Sequence, residues 1–252
     1  MTEELNTQAI QAFIEEPSLM RRLFFGCLVP ILLAQGLWVR QSVPKIAEAT
    51  GPREGVAGRG KPIRVLVTGD SSAAGVGAPV QAQALMGCLL SRLAVNFKVH
   101  WKLIANTGWS TLDLHSFLNT VPEISYDIVL TATGVNDITS RQSTTTCLIK
   151  QIKLVKLLRK QFDARHILIS GLPPVHRFPS LPEPLRWCIG DRAKRLDNAI
   201  QLWSREQPDC DHIRLDFPVS TENMASDGFH PGPGIYSLWA DAAAAAIRAR
   251  WS

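Results

Sequence analysis

From residue 63 onward the chain alternates short apolar runs with longer amphipathic ones, and this alternation restricts the accessible folds more than any other feature. Candidate strands fall at 63–68, 97–104, 126–133, 166–170 and 212–216. Candidate helices follow them at about 79–95, 110–119, 144–162, 185–206 and 233–250. Five strand–helix units in a row predict a five-stranded parallel sheet with helices on both faces. Its crossovers should be right-handed, and ligands should bind outside the carboxyl ends of the strands. With 252 residues, 46% of them hydrophobic and 19% charged, the units are expected to share one large core.

Ahead of this pattern, residues 23–39 form an apolar run with Pro30 in its middle, Arg21 and Arg22 before it and Arg40 after it. A spanning helix needs about 20 apolar residues, so the run is at the short end. A secretory signal opens with a short basic region, whereas Glu3, Glu4, Glu15 and Glu16 precede this run. A cleaved signal is therefore not expected. The expectation is a helix lying in or on a membrane, or one packed on the domain's own surface. Residues 41–62 are rich in Pro, Gly and charge and read as a linker or as a loop against the domain. The expected division is an apolar helix and linker over 1–61 and an α/β domain over 62–252.

Composition narrows the chemistry. The five cysteines (Cys27, Cys88, Cys147, Cys188, Cys210) are odd in number and widely spaced, with no CxxC pair, so they read as small core residues rather than as disulfides or zinc ligands. That usage suits a reducing cytosol. The net charge of +5 is spread along the chain without a basic block interleaved with aromatics, which argues against nucleic acid as a partner.

The strand ends carry polar loops. The first strand runs into Gly69-Asp70-Ser71-Ser72, the second into Asn106-Thr107-Gly108-Trp109-Ser110, and the third into Thr133-Gly134-Val135-Asn136-Asp137. Beyond the fifth comes Ser226-Asp227-Gly228-Phe229-His230-Pro231. A serine on a sharp strand-to-helix turn is open to substrate, although such turns also bind phosphate or simply connect elements. Acyl transfer asks for a base near Ser71, and His230 is the only histidine in these loops. Asp227, three residues earlier, is placed to orient its ring. The backbone N–H groups of Ser71 and Gly108 and the side-chain amide of Asn136 supply donors for an oxyanion. Singly, Asn136 reads as a turn residue, Gly108 as a cap, Asp227 as an N-cap and His230 as a helix-start residue. Four coincidences in order favour catalysis. Asp70 and Asp137 read as loop-bracing carboxylates.

Together, Gly69-Asp70-Ser71, Gly108, Gly134-x-Asn136-Asp137 and Asp227-x-x-His230 resemble the sequence blocks of the SGNH hydrolases, also called GDSL esterases and lipases, over roughly residues 62–251. The resemblance implies a flavodoxin-like three-layer α/β/α sandwich with strand order 2-1-3-4-5. It also implies no metal or cofactor, and hydrolysis of esters or thioesters through an acyl-serine. By the same resemblance Ser71 is the nucleophile, Asp227 and His230 complete the triad, and Ser71, Gly108 and Asn136 form the oxyanion hole. Ser72 departs from the pattern, standing where the family's name has leucine.

Substrate signals are thinner. The proline-rich segment 171–187 reads as a stiff loop whose Leu, Phe and Trp side chains line an acyl groove or pack as local core. The helix at 144–162 carries Lys150, Lys153, Lys156, Arg159 and Lys160, which read as a solvated face, with contact to an anionic membrane as the alternative. The expected activity is hydrolysis of a small or lipid-like carboxylic ester, of lysophospholipase or arylesterase type. Alternatives are an acyl-CoA thioesterase, a carbohydrate deacetylase, or a membrane-tethered binding protein on the same fold. The expected location is cytoplasmic, with residues 23–39 touching the inner membrane.

Overall fold

The computed structural model describes residues 10–14, 18–140 and 142–251. Glu3, Glu4, Glu15 and Glu16, the acidic lead of the apolar run, lie outside the described residues, as do the side chains of Arg21 and Arg22. A long helix, α1 (Leu19–Ser42), precedes strands β1 (Glu54–Ala57) and β2 (Lys61–Gly69). A single turn, α2 (Ser71–Ala74), and helix α3 (Leu85–Leu93) lead to β3 (Phe97–Ala105). Helix α4 (Thr111–Leu118) connects to β4 (Ile128–Ala132), and α5 (Val135–Thr139) with α6 (Thr144–Phe162) leads to β5 (His166–Ser170). Helix α7 (Leu185–Arg205) precedes β6 (Cys210–Ile213), and α8 (Pro233–Trp251) follows it. The helix expected over 79–95 starts later, because a 3-10 turn at Gln81–Gln83 aims the buried Gln81 side chain at the carbonyls of Ala49 and Ala74.

The strands form one six-stranded sheet in the order β1-β3-β2-β4-β5-β6. Five of them are parallel, and counted alone they run 2-1-3-4-5, the order of a flavodoxin-like sandwich. The sixth is a correction to the five-stranded expectation. Strand β1 lies antiparallel on β3, pairing Glu54 with Lys102 and Ala57 with Val99, inside the segment read as a linker or loop. Its four residues are mostly exposed and show no alternation. Pairing makes it a strand: it covers the free edge of β3, with Glu54 bridging Lys102 at 3.0 Å.

Side chains alternate between two cores. Val65 and Val67 of β2, Ile128 and Leu130 of β4 and Leu168 of β5 face α3 and α8. Leu66, Val129, Ile167 and Ile169 face the opposite layer, where α4, α6 and α7 contribute Leu114, Ile152 and Ile200. Strands β4 and β5 are buried throughout, which is why they read as unbroken apolar runs. Cys88, Cys147, Cys188 and Cys210 are buried as read, but Cys27 is exposed on α1.

The positive charges of α6 are not simply a solvated face. Lys150 turns inward to the buried Asp137 at 3.4 Å, and Arg159 grips Asp209 through two hydrogen bonds of 2.8 and 2.6 Å.

Helix α1 is long and apolar enough over Leu23–Ser42 to cross a membrane, with mean hydropathy 1.7. One of its sides rests on the start of α7. Phe25 packs on Trp187 with ring centroids 5.0 Å apart, and Gln35 donates to the Glu183 carbonyl at 2.6 Å while accepting from the Leu185 N–H at 3.1 Å. Leu23, Phe24, Ile31, Leu37 and Trp38 of the same helix are exposed, Phe24 while also meeting the Trp187 ring edge-on at 5.9 Å.

Candidate active site

Strand β2 runs so close to β4 that Gly69 has no room for a side chain: a Cβ there would sit 1.9 Å from the Ala132 carbonyl oxygen. The chain then turns sharply. Asp70 caps the single turn α2, accepting the Ser72 N–H at 3.0 Å, and Gly75, at φ +86°, closes it in the left-handed region. Ser71 is thereby fixed as the first residue of that turn, directly after its cap, at the carboxyl edge of the sheet.

The partner loop arrives from the other end of the sequence. Asp227 accepts the backbone N–H groups of Phe229 and His230, each at 2.9 Å, and its second oxygen lies 2.6 Å from His230 Nδ1. His230 Nε2 stands 2.9 Å from Ser71 Oγ. A carboxylate only accepts, so Nδ1 carries the ring proton and Nε2 is free to accept from the Ser71 hydroxyl. Burial alone raises the Asp227 pKa. The hydrogen bonds from His230 and from the two backbone amides outweigh burial and hold the carboxyl below its ordinary range.

Asn136 opens toward the same cavity as Ser71 and His230. One of its amide hydrogens is committed to the Trp109 carbonyl at 2.8 Å, which ties α5 to the turn that carries Gly108 and leaves the second for another acceptor. Gly108 has φ +87° and open space around it, which suits a backbone N–H presented without a flanking side chain. Its turn joins β2 through the Asn106 N–H on the Gly69 carbonyl at 3.3 Å. Thus Ser71, Asp227 and His230 meet directly and Asn136 shares their cavity, whereas Gly108 is outside the cavity lining and is linked to it through Trp109.

Two clusters brace the site, one on Glu48 that was not foreseen and one on Asp137 whose partners were not. Glu48, in the segment read as a linker or loop, accepts both the N–H and the hydroxyl of Thr107, at 2.8 and 2.7 Å, and pairs with Arg53, which in turn donates to the Ala105 carbonyl. The Gly108 turn is therefore strapped from outside the parallel sheet. Behind Asn136, buried Asp137 accepts from the Thr111 N–H and hydroxyl at 2.9 and 2.8 Å, and Gln151 donates to the same hydroxyl. Asp70 and Asp137 brace the rim as read. Burial carries the Asp70 pKa up to about 7 against the opposing pull of the Ser72 amide and His230.

The proline-rich loop divides between its two readings. Pro173, Pro174 and Phe178 line the cavity; Leu172, Leu181 and Leu185 belong to the core; Trp187 meets α1. Among the described residues no group of three His, Cys, Asp or Glu side chains is arranged to hold a metal ion.

Comparisons with known proteins agree with this fold. A lipase from a goat rumen metagenome has the same fold at a TM-score of 0.58 with 15% identity, covering 73% of this chain and 97% of its own. TesA matches at 0.58 with 18% identity, covering 74% of this chain and 98% of its own. A carbohydrate acetylesterase from Sinorhizobium meliloti matches at 0.57 with 18% identity, covering 75% of this chain and all of its own. No curated protein sequence matches. The sequence model of the GDSL-like lipase/acylhydrolase family spans residues 67–238, more than half of the chain and both arms of the Ser71–His230 contact, and the chain belongs to that family.

Proposed function

We propose that the protein is a serine hydrolase that cleaves carboxylic esters of small or lipid-like substrates through an acyl-serine intermediate. The observation that carries this reading is the continuous hydrogen-bond path from Asp227 through His230 to the Ser71 hydroxyl. Ser71 Oγ attacks the carbonyl carbon as its proton passes to His230 Nε2. The electron pair displaced onto the carbonyl oxygen is met by the N–H groups of Ser71 and Gly108 and by the Asn136 amide. When the intermediate collapses, the bond to the alcohol oxygen breaks and His230 returns the proton to it. Water then repeats the sequence, releasing the acid and restoring the serine, while Asp227 stays ionised throughout.

A fluorophosphonate probe tests the reading. It should label Ser71 in the intact protein and leave Ser71→Ala unlabelled, and the same substitution should abolish hydrolysis of a p-nitrophenyl ester. A folded protein that neither labels nor hydrolyses supports the binding-protein alternative. Preference for acyl-CoA supports the thioesterase, and acceptance of acetylated sugars without longer esters supports the deacetylase.

The hydrolase unit is placed at residues 62–252, with 1–61 adding α1 and the β1 strap. Residues 23–39 are placed against a membrane surface on the cytoplasmic side, a reading supported by the exposed Leu23, Phe24, Ile31, Leu37 and Trp38. Flotation with lipid vesicles should carry the full chain and lose a form truncated before residue 43.

A further inference from the structure

The cavity beside Ser71 has a buried apolar side. Besides Ser71, Asn136 and His230, its lining includes Leu215, Met224, Ile235 and Trp239, all four buried. Phe217 and Val219, half-buried, stand nearer the surface. The end wall is rigid. Trp239 Nε1–H donates to Ser170 Oγ at 3.1 Å, and Tyr236 stacks against the indole while its own hydroxyl is held by the Val76 carbonyl at 2.6 Å. The indole therefore has no easy rotamer by which to lengthen the cavity.

Resting on the hydrolase reading above, we propose that this buried apolar side is the acyl subsite and that Trp239 limits it to short unbranched acyl groups. Two arguments carry this. The first is order of departure: the alcohol leaves while the acyl group is still on Ser71, and water must then reach the same carbon. The departing group needs the open side, so the buried apolar side suits the group that stays. The second is depth. The Trp239 indole is pinned by Ser170 Oγ and stacked on Tyr236, so a chain that reaches it stops there. Ser170 Oγ, the polar atom at the end, is already engaged by Trp239, so the wall offers an incoming chain mainly apolar surface.

The test is kcat/KM of the full chain on p-nitrophenyl esters from acetate to dodecanoate. Each methylene that fits should raise it about fourfold, with a maximum between butanoate and hexanoate and a fall of at least tenfold by dodecanoate. Trp239→Leu should move the maximum at least two carbons longer, and Ile235→Phe should move it toward acetate, with thermal melts confirming that each variant is folded. A second reading needs no variant: a butyl fluorophosphonate should inactivate the intact protein at least tenfold faster than a dodecyl one. A flat profile, a maximum at dodecanoate, or folded variants that keep the original maximum overturn the subsite while leaving the hydrolase reading intact. No hydrolysis of any ester, with Ser71 unlabelled, overturns both.

Discussion

The two ends of the sheet each hold a histidine paired with an aspartate, and they do different things. At the carboxyl rim His230 sits 2.6 Å from Asp227, with its side chain 17% exposed and its second nitrogen facing Ser71 Oγ. At the opposite end His166, the first residue of β5, sits 2.8 Å from Asp211 and is 1% exposed. Its second nitrogen accepts from Trp251 Nε1–H at 3.3 Å, and Asp211 also takes two hydrogen bonds from Arg250. In a third pair, His212 with Asp197 at 2.9 Å, the imidazole is buried and the carboxylate half-buried, and His212 Nδ1 finds no partner among the described residues. A carboxylate behind an imidazole is therefore no signature by itself. What differs is the far nitrogen, which at the rim meets a hydroxyl beside a cavity and at the base meets a tryptophan inside packed structure.

The largest effect that separates the two ends comes from the serine. Ser71→Ala should lower ester turnover by about 10⁴-fold or more with an unchanged far-ultraviolet spectrum. Next comes the orienting carboxylate. Asp227→Asn should cost about 10³- to 10⁴-fold in kcat, because the amide no longer holds the proton on Nδ1. The matching Asp211→Asn should leave turnover within about twofold. It should instead lower stability by about 1–3 kcal/mol in chemical denaturation, since Arg250 and His166 lose a charged acceptor. A large loss of turnover in Asp211→Asn would dissolve the distinction between the pairs. Between the two aspartate substitutions falls the oxyanion donor: Asn136→Ala should reduce kcat about 10²- to 10³-fold with little change in KM, as expected for a contact made chiefly in the transition state.

The same contrast explains what could be read from the sequence. Strands β4 and β5 were legible because they are apolar on both faces, and Ser71, Asp227 and His230 because each lies in a glycine-marked loop beside the sheet. Strand β1 was not, since Glu54–Ala57 has no pattern of its own and becomes a strand only by pairing with β3. Nor were the bracing contacts. Glu48 meets Thr107 across 59 residues of sequence and Gln151 meets Thr111 across 40, and neither separation leaves a local trace. Lys150 looked like part of a charged face for the same reason: Asp137, which draws it inward, lies in α5, the element before its own helix.

The smallest effect concerns the residue beside the nucleophile. Asp70 is buried, and its pKa in the folded protein is raised from 3.8 to about 7. Between those values the folded chain holds a proton that the unfolded chain has released, so stability falls as pH rises from about 4 to about 7 and then levels. Asp227 works the other way: its lowered pKa contributes stability that is lost only as pH falls below the ordinary carboxylate range. Asp70→Asn keeps a side-chain oxygen for the Ser72 N–H and removes the ionisation. Its advantage over the parent should be near zero at pH 4 and grow to on the order of 1–3 kcal/mol by pH 8. Denaturant melts at several pH values measure that difference. A gap that does not change with pH would mean that the carboxyl beside Ser71 keeps an ordinary carboxylate pKa in the folded protein, and that burial does not hold a proton on it.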